Sequence, residues 1–507
     1  MAEAILSQAL PLVLIACSLL PAVAVFLLSD AHSRARSIWT MAGATAKLIV
    51  LAIAMIGVQQ GRLFAVELPI GPGMALSFRI DALALLFVSL SAVLWFVTTI
   101  YALAYLAGTP DQRRFFGFFN LCVASTSGIA LAGTPLTFFV FYELLTLSTY
   151  PLVVHGGDRA ALAAGRRYLR YTMAGSAAFL IGAVWLESMA GELSFGQAGQ
   201  LAAHVLDDRA ALTACFVLLV GGLAVKAAMM PFHGWLPNAM VAPAPVSALL
   251  HAVAVVKAGA FGILRVVLDL YGIELTTALG VALPLAIAAS VTILGASMIA
   301  LAQRGLKRRL AYSTVSQVSY IVLGVAMLGP VALAGGLVHL VHQGLMKITL
   351  FFCAGTLQKT LGIHEIDEMA GVGWRMPATM LAFSAGALGM VGTPPLAGFV
   401  SKWYLGIGAI ESGQYWVVAV LAASSLLNAA YFLPILYAVW FRPPVHPWPD
   451  RDPGLAWRGA VWEAKPALVI PAVFTAAAAV GAGLFAAFAA SPLQWAILIV
   501  EREYTLL

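Results

Sequence analysis

Apolar runs of about 20 residues recur along this chain from one end to the other, each long enough to cross a bilayer core of roughly 30 Å as an α-helix. Of the 507 residues, 62% are hydrophobic and only 10% are charged, whereas about a quarter of a soluble domain is charged. The runs are continuous and do not alternate with polar residues, as barrel strands would. The sequence therefore predicts an all-α polytopic membrane protein.

The apolar runs divide into about fourteen transmembrane helices joined by short segments. The predicted spans are 5–28, 38–59, 79–106, 115–132, 134–154, 168–189, 211–231, 245–268, 278–302, 309–329, 331–357, 376–411, 415–441 and 466–490. The first run lacks a basic n-region and a convincing cleavage site, so we expect it to be a retained helix. Only the loops 61–78, 190–210 and 442–465 are longer than a dozen or so residues. No soluble catalytic domain fits there, so residues 1–507 are predicted to form one membrane domain and not an enzyme.

Lysine and arginine concentrate on one side of this topology. Loops after odd-numbered helices hold 18 of them: Arg34, Arg36, Arg113, Arg114, Arg159, Arg166, Arg167, Arg170, Arg304, Lys307, Arg308, Arg309, Lys359, Arg375, Arg442, Arg451, Arg458 and Lys465. The opposite side holds four, namely Arg62, Arg79, Arg209 and Arg502. Because cytoplasmic loops collect positive charge, both termini are predicted to lie on the non-cytoplasmic side of a bacterial cytoplasmic (inner) membrane.

Five ionisable residues lie deep within predicted spans: Glu143, Lys226, Lys257, Lys347 and Lys402. Each costs about 2.5–3.5 kcal/mol or more to bury in lipid, so such residues usually carry function. Burial favours the neutral form of an amine, and a nearby carboxylate favours the charged form. A lysine whose carboxylate partner can approach and leave is therefore a switchable proton site.

Two of the membrane lysines have a simpler explanation. A lysine near a helix end commonly extends its ammonium group to the interface, and we expect this of Lys47. For Lys347, an interfacial or structural role is the alternative to proton transfer.

Histidines accompany these lysines. His339 and His342 are three residues apart on one helix face, and Lys347 follows them, so the three could form a line for proton transfer. His251 precedes Lys257 by close to two helical turns, which favours a shared path. No cysteine or carboxylate lies near the histidine pair, and the four cysteines are scattered singly, so no metal site and no cofactor are predicted.

Two predicted helices are interrupted by proline and glycine. Helix 7 contains Pro231 and Pro237, with His233 in the interruption as a capping or gating residue, and helix 12 contains Gly392, Pro394 and Pro395. Proline removes a backbone donor, which is tolerated at membrane depth only where protein or water satisfies the freed groups. Paired interruptions five helices apart indicate an inverted-repeat transporter with gates at both breaks.

The repeats divide the chain into four parts. Residues 1–110 hold helices 1–3, residues 111–270 hold the first repeat of helices 4–8, and residues 275–441 hold the second repeat of helices 9–13. Residues 442–507 hold the last loop and helix 14, with the final residues either extending that helix or lying at the interface.

Four stretches together resemble a known family: "FFVFYELLTLSTYPLV", "KAAMMPFHGWLPNAMVAPAPVSALLHAVAVVKAG", "RRLAYSTVSQVSY" and "GTPPLAGFVSKWYL". They are similar to the antiporter-like subunits shared by respiratory complex I and Mrp-type cation/proton antiporters. The similarity covers about residues 75–440. "FRIDALALLF", the spacing from Lys226 to Lys257 and "GFVSKWYL" resemble the D-type chain of the Mrp antiporters most.

The resemblance implies fourteen helices, two inverted five-helix repeats and a chain of protonatable groups at mid-membrane. Glu143 would pair with Lys226, the helix 7 lysine. Lys257 would be the connecting lysine of helix 8, assisted by His251.

The second half of the implied chain lies on helices 11 and 12. His339, His342 and Lys347 would continue the line, and Lys402 would be the lysine at the exit half-channel. Relatives often carry an acid before the basic stretch "LKRRLAYS", whereas this chain has Gly305. The turn before this stretch therefore departs from the family pattern.

The leading predicted function is a proton-translocating subunit of a multisubunit Mrp-type Na⁺/H⁺ antiporter. The alternative is a proton-pumping membrane-arm subunit of a complex I-like or hydrogenase-linked redox complex, and the second alternative is a proton-conducting partner of an inorganic-carbon uptake system. An inert membrane scaffold, without transport activity, is the remaining alternative.

The antiporter and the redox complex require other membrane subunits as partners, the inorganic-carbon system pairs the chain with a soluble zinc protein, and none of the three involves nucleic acid. The chain has no flavin, iron–sulfur or nucleotide motif, so a redox role would also depend on soluble partners. Beyond Glu143 and Asp81, no membrane carboxylates gather into a Na⁺ site.

Overall fold

The computed structural model describes residues 2–72, 74–196, 199–201, 208–444, 456–457, 460–461 and 463–504, and these residues are predominantly helical. The helices are α1 (Ala2–Leu27), α2 (Ser33–Gln59), α3 (Ala82–Tyr105), α4 (Gln112–Leu131), α5 (Pro135–Val153), α6 (Arg159–Ala190), α7 (Arg209–Lys226), α8 (Trp235–Asn238), α9 (Ala244–Ala248), α10 (Val255–Arg265), α11 (Gly272–Leu279), α12 (Ala282–Leu301), α13 (Leu306–Ala326), α14 (Pro330–Leu361), α15 (Val372–Arg375), α16 (Pro377–Val391), α17 (Ala397–Glu411), α18 (Tyr415–Phe441), α19 (Pro466–Leu484) and α20 (Pro492–Ile499). Arg451 and Arg458, counted above on the basic side, lie outside the described residues.

Eleven of the described helices are long and apolar enough to cross a membrane, which confirms the predicted polytopic helical fold. The remaining three predicted spans fall on α9 with α10, on α13, and on α16 with α17. These helices are shorter, interrupted or more polar than the eleven. The total of fourteen spans therefore stays a prediction.

The 32-residue helix α14 forms the centre of the bundle. In its apolar 18-residue stretch, 94% of the residues are buried within the protein. Small residues allow its neighbours to approach closely, as is usual between membrane helices. A Cβ atom added at Gly324 on α13 would lie 2.7 Å from the Cα of Gly336 on α14. A Cβ at Gly335 would lie 2.8 Å from the backbone nitrogen of Leu405 on α17. The backbone of α14 is thus held close to both α13 and α17.

The interruption in helix 7 follows Lys226, the last residue of α7. Residues 227–231 are not helical, Pro231 precedes a short 3₁₀ turn over Phe232–Gly234 that includes His233, and Pro237 lies within the brief helix α8. The indole nitrogen of Trp235 donates a hydrogen bond of 2.8 Å to the carbonyl oxygen of Val225. That carbonyl also accepts from the backbone nitrogen of Ala228 at 3.1 Å, so a side chain from beyond the break adds a second donor to the last turn of α7.

The interruption in helix 12 separates α16 from α17. Helix α16 ends at Val391, Gly392 adopts a left-handed conformation with φ of 94°, and Pro394 and Pro395 precede Ala397, where α17 begins. Glycine suits this position because a positive φ strains residues with a Cβ. Both predicted breaks thus lie where the structure ends one helix and begins another.

Helix 8 contains a third interruption that we did not predict. Between α9 and α10 the chain forms a π-helical turn over Leu249–Val253, and a second π-helical turn follows α10 over Val266–Tyr271. No proline or glycine marks the first turn, so the sequence pattern indicated one continuous span. Such π turns occur frequently at functional sites.

Three segments outside the main spans adopt regular secondary structure. The loop 61–78 contains an antiparallel hairpin, β1 (Phe64–Gly71) paired with β2 (Met74–Ile80), where we predicted only a connection. A second short hairpin pairs β3 (Ala456–Trp457) with β4 (Ala460–Val461). Near the C-terminus, α20 is separate from α19 and continues into a π-helical turn over Val500–Tyr504.

Candidate functional site

The side chains predicted to carry protons lie inside the helix bundle. Seven of the eight are buried and Glu143 is half-buried. They are Glu143 on α5, Lys226 on α7, His251 on the first π turn, Lys257 on α10, His339, His342 and Lys347 on α14, and Lys402 on α17.

Lys226 contacts α5 beside the predicted carboxylate partner. Its ammonium nitrogen donates a hydrogen bond to the backbone carbonyl of Tyr142 and lies 3.2 Å from the centroid of the Tyr142 ring. The two carboxylate oxygens of Glu143 are buried and have no hydrogen-bond partner among the described residues. In this conformation the amine is thus bonded to the residue next to Glu143 and not to Glu143 itself.

Lys257 connects the first half of the row to the central helix. A Cβ at Gly259 would lie 2.8 Å from the carbonyl carbon of Lys226, so α10 touches the end of α7. The ammonium nitrogen of Lys257 donates to the carbonyl oxygen of Leu340 on α14 at 2.9 Å. Leu340 directly follows His339 in the chain, so the Lys257 amine reaches the backbone next to an imidazole.

His251 lies on the π turn against the same central helix. Its ring centroid is 4.6 Å from that of Phe351 on α14. Both ring nitrogens are buried and lack a partner within the described part of the chain. The imidazole is thus positioned by ring packing and not by hydrogen bonds.

His339 connects the central helix to α17. Its Nδ1 is 2.8 Å from the hydroxyl oxygen of Ser401, the residue before Lys402, and its Nε2 has no partner among the residues described. The ring of Tyr320 lies between the two bases, 5.2 Å from the His339 ring and 5.5 Å from the Lys402 nitrogen. The two ring nitrogens of His342 are buried without a described partner.

Lys347 points from α14 toward α13. Its nitrogen donates to the hydroxyl of Ser313 at 2.9 Å and to the carbonyl of Leu310 at 3.4 Å. The hydroxyl of Tyr431 on α18 donates to Ser313 at 3.0 Å and also bonds the side chain of Asn428. The amine is therefore part of a buried polar network and does not extend to an interface.

Lys402 reaches back across the helix 12 break. Its nitrogen donates to the carbonyl oxygens of Met390 at 3.0 Å and Val391 at 2.9 Å, and to the hydroxyl of Ser425 at 3.0 Å. Those two carbonyls belong to the last turn of α16, whose C-terminal end carries partial negative charge. Lys226 likewise lies in the last turn of α7. Both breaks thus place a lysine where a helix C-terminus favours a cation.

Several polar atoms along the row have no direct protein partner. They belong to Glu143, His251, Gln317, Tyr320, His339, His342 and Gln343 within the described residues. Buried polar groups are costly unless hydrogen-bonded, so water is expected to connect them. Chains of water and side chains with exchangeable protons can transfer protons across such a row.

Sequence reasoning missed several polar residues of this region. Gln317 and Tyr320 lie in "RRLAYSTVSQVSY", where polar residues recur inside an apolar span, and that recurrence could have identified them. Ser401 precedes Lys402 and carried no separate signal.

The expectation that Lys47 reaches the interface is wrong. Lys47 is fully buried in the middle of α2, bonded to the hydroxyls of Ser18 and Ser127, with its nitrogen 5.4 Å from the ring centroid of Trp95. Serines on two neighbouring helices offer the amine closer partners than the interface does.

Residues 132–428 match the family model described as NADH:quinone oxidoreductase/Mrp antiporter, transmembrane. The N-type subunit of the NADH-quinone oxidoreductase of Desulforudis audaxviator is 39% identical over 381 residues, which cover 73% of this chain and 74% of that protein. The D-type subunit of the Na(+)/H(+) antiporter of Alkalihalophilus pseudofirmus is 28% identical over 367 residues, covering 71% and 72%. A chain of the Mrp complex from Dietzia sp. DQ12-45-1b has a TM-score of 0.84 at 25% identity and covers 98% of both chains. These matches confirm the predicted family resemblance.

Proposed function

Because this chain belongs to the NADH:quinone oxidoreductase/Mrp antiporter transmembrane family, we propose that it is the D-type, proton-translocating subunit of a multisubunit Mrp-type Na⁺/H⁺ antiporter. The observation that carries the proposal is the buried row of ionisable side chains running from α5 through α7, α10 and α14 to α17. A purely structural membrane protein would gain nothing from so many costly buried bases.

The first step of the proposed path is a change of partner at Lys226. The amine moves between the carbonyl of Tyr142, which it contacts now, and the carboxylate of Glu143 one residue along α5. The carboxylate stabilises the ammonium form, and its loss favours release of the proton. The proton then passes toward Lys257 on the adjoining helix.

The second half of the path crosses α14. Lys257 bonds the carbonyl of Leu340, the neighbouring His339 bonds Ser401, and Lys402 follows Ser401 in the chain. His251, His342 and Lys347 border this line and share the water that their buried polar atoms require. Lys402 is the last base before the exit.

The breaks beside Lys226 and Lys402 act as gates in this proposal. Each lysine sits at a helix C-terminus, so a change in its charge alters the interaction with the partial negative charge of that terminus. Pro231, His233 and Pro237 border one gate, and Gly392, Pro394 and Pro395 form the other. The two breaks mark corresponding positions of the inverted repeats, residues 111–270 and 275–441.

The antiporter requires partner chains. We propose that other membrane subunits cover part of the apolar outer surface, that both termini lie on the non-cytoplasmic side of the bacterial inner membrane, and that Na⁺ crosses mainly through those partners. No described group of three or more histidines, cysteines or carboxylates in this chain could hold a metal ion.

A membrane-arm subunit of a redox-driven pump is the second candidate. It is favoured by the 39% identity to an NADH-quinone oxidoreductase subunit, compared with 28% to the D-type antiporter chain. The same row would then move protons in response to quinone chemistry in partner chains.

The test uses the complex purified with its native partners and reconstituted into liposomes, with Na⁺-driven proton movement followed by a pH-sensitive dye. Glu143→Gln and Lys226→Gln are expected to slow antiport by about 100-fold, the scale of losing one acid–base group. Glu187→Gln, at an exposed carboxylate of α6, is the matched control and keeps the wild-type rate. Wild-type antiport in either buried variant, with normal assembly, contradicts the assigned roles. Proton movement driven by quinone reduction and not by Na⁺ selects the second candidate.

A further inference from the structure

A second buried charge cluster lies apart from the row, at the start of α3. Arg265, at the end of α10, donates from Nη2 to both oxygens of Asp81 at 2.8 Å and from Nη1 to Asp269 at 2.7 Å. Arg265 is 1% exposed and Asp269 is fully buried. Asp81 also caps α3 by accepting from the backbone nitrogen of Ala84 at 2.7 Å. One guanidinium therefore neutralises one of two carboxylates.

The C-terminal segment adds a third carboxyl group to this cluster. The indole nitrogen of Trp495 donates to the carbonyl of Ala82 at 3.0 Å, and the backbone nitrogen of Ala82 donates to Glu503 Oε1 at 2.7 Å. The hydroxyl of Tyr504 donates to Asp269 at 2.7 Å. The segment Val500–Tyr504 follows the last candidate membrane span, Pro466–Leu484, and holds the half-buried Glu503 against the first turn of α3.

The charges facing Glu503 do not balance. The charged groups around it are Asp81 at the start of α3, Arg265 at the end of α10 and Asp269 on the π turn that follows α10. The neutral phenol of Tyr504 lies on the same turn as Glu503. The guanidinium is already shared between the two aspartates, so a third negative charge has no cation of its own. Burial raises the pKa of the Glu503 carboxyl to about 8, and the charge of Asp81 acts in the same direction.

One donor of the cluster lacks an acceptor among the described residues. The Nε–H of Arg265 is buried and has no acceptor among the residues that the structure describes. A guanidinium N–H in that position needs an acceptor, and a water molecule can supply it. Arg265 follows Lys257 by eight residues on α10, about 12 Å along a helix that rises 1.5 Å per residue.

We propose that Glu503 is a proton-binding group that exchanges protons between Lys257 and the protein surface at the C-terminal end of the bundle. The Lys257 ammonium gives up its proton through water along α10, and the Glu503 carboxylate becomes a carboxylic acid. Its half-buried side chain later releases the proton outward. This route deepens the proposed function, because it gives the first repeat its own exchange site in addition to Lys402.

The protonated state of Glu503 can be tested without transport. Dicyclohexylcarbodiimide adds to a protonated carboxyl group in an apolar setting and rearranges to a stable N-acylurea, which mass spectrometry locates. In the intact complex in nanodiscs, Glu503 labelling is expected to fall about thirty-fold between pH 6.5 and 9.5, as for a group half-protonated near pH 8. Glu187, whose carboxylate on α6 is exposed and so lacks the apolar setting that the reagent requires, should stay unlabelled and is the internal control.

Two labelling results overturn the proposal: an unlabelled Glu503 at pH 6.5, or labelling that does not change with pH. Protection of Glu503 by 100 mM Na⁺ at constant pH also overturns it, because the site would then hold a metal cation. None of these results depends on antiport, so this inference can fail while the proposed function stands.

Transport by Glu503→Gln tests the route itself. Glutamine keeps the oxygen that accepts from Ala82 but cannot exchange a proton, so assembly is retained and proton flux is expected to fall about tenfold and to lose its change near pH 8. Glu501→Gln, at an exposed neighbour, controls for altered surface charge. A Glu503→Gln complex with the wild-type pH profile shows that Glu503 only fastens the C-terminal segment.

Discussion

Replacing Lys402 by arginine or by methionine separates two roles of this lysine: carrying a proton and satisfying the end of α16. The ammonium nitrogen donates three hydrogen bonds, to Met390, Val391 and Ser425, at 2.9–3.0 Å. Methionine has a similar volume but no donor, so two helix-end carbonyls lose their partner. Hydrogen bonds from a charged donor contribute about 1.5–3 kcal/mol each, and freed carbonyls can regain some water. We expect Lys402→Met to destabilise the protein by about 3 kcal/mol.

Arginine keeps the charge and the donors, and it does not release a proton near neutral pH. The space is narrow, because a Cβ at Gly392 would lie 2.9 Å from the Cδ of Lys402. We therefore expect Lys402→Arg to cost about 1–2 kcal/mol from crowding, less than the methionine variant. Proton flux should fall about 100-fold in both variants if Lys402 carries the proton.

Stability is read from thermal unfolding of the detergent-solubilised complex by tryptophan fluorescence, and flux from Na⁺-driven antiport in liposomes. Lys465→Arg, at an exposed lysine, is the control for the substitution itself. A Lys402→Arg complex that transports at the wild-type rate refutes the reasoning, since a residue that stays charged would then suffice. Lys402 would be a structural cation only.

Three further substitutions test the packing and the buried charges. Arg265→Met leaves two buried aspartates without their cation and should destabilise the protein by about 3–5 kcal/mol, seen as lost assembly on size-exclusion chromatography. Gly324→Leu forces α13 away from Gly336 on α14 and should lower the unfolding midpoint, whereas Gly221→Leu, at a position with open space, should not. Lys47→Met should leave transport unchanged and alter stability by less than about 2 kcal/mol, because its two serine partners also bond their own helices; a larger loss in thermal unfolding would show that the amine is required.

The two helix breaks provide a common explanation for the placement of Lys226 and Lys402. A helix that ends inside the membrane leaves carbonyl groups that must be satisfied there, and an ammonium group both donates to them and complements their partial charge. Lys402 does this for α16 directly. A lysine bound to a helix terminus is stable when charged, yet it can lose its proton when the terminus moves. In the proposed path, this property would couple conformational change to proton release at both breaks.

The sequence alone determined the polytopic helical fold and identified the ionisable groups within its apolar helices. In lipid, the backbone N–H and C=O groups of a continuous apolar run find their hydrogen bonds within a helix. A lysine inside such a run has to face protein or water. Proline and glycine located both interruptions to within a few residues, because their effects on the backbone are local. The residues of the row, from Glu143 to Lys402, could therefore be named without knowledge of their contacts.

Only the tertiary structure decided which groups meet. Asp81 and Arg265 are 184 residues apart, and no local pattern predicts their ion pair or the arrival of Glu503 beside it. The Lys226 amine contacts Tyr142 and not Glu143, and Lys47 finds serines on other helices. The physical reason is that a helix such as α14 is buried on every side and has no single apolar face, so its sequence pattern does not specify how it is rotated toward its neighbours. Close packing at glycines and hydrogen bonds between helices fix that rotation, and with it which ionisable side chains lie close together.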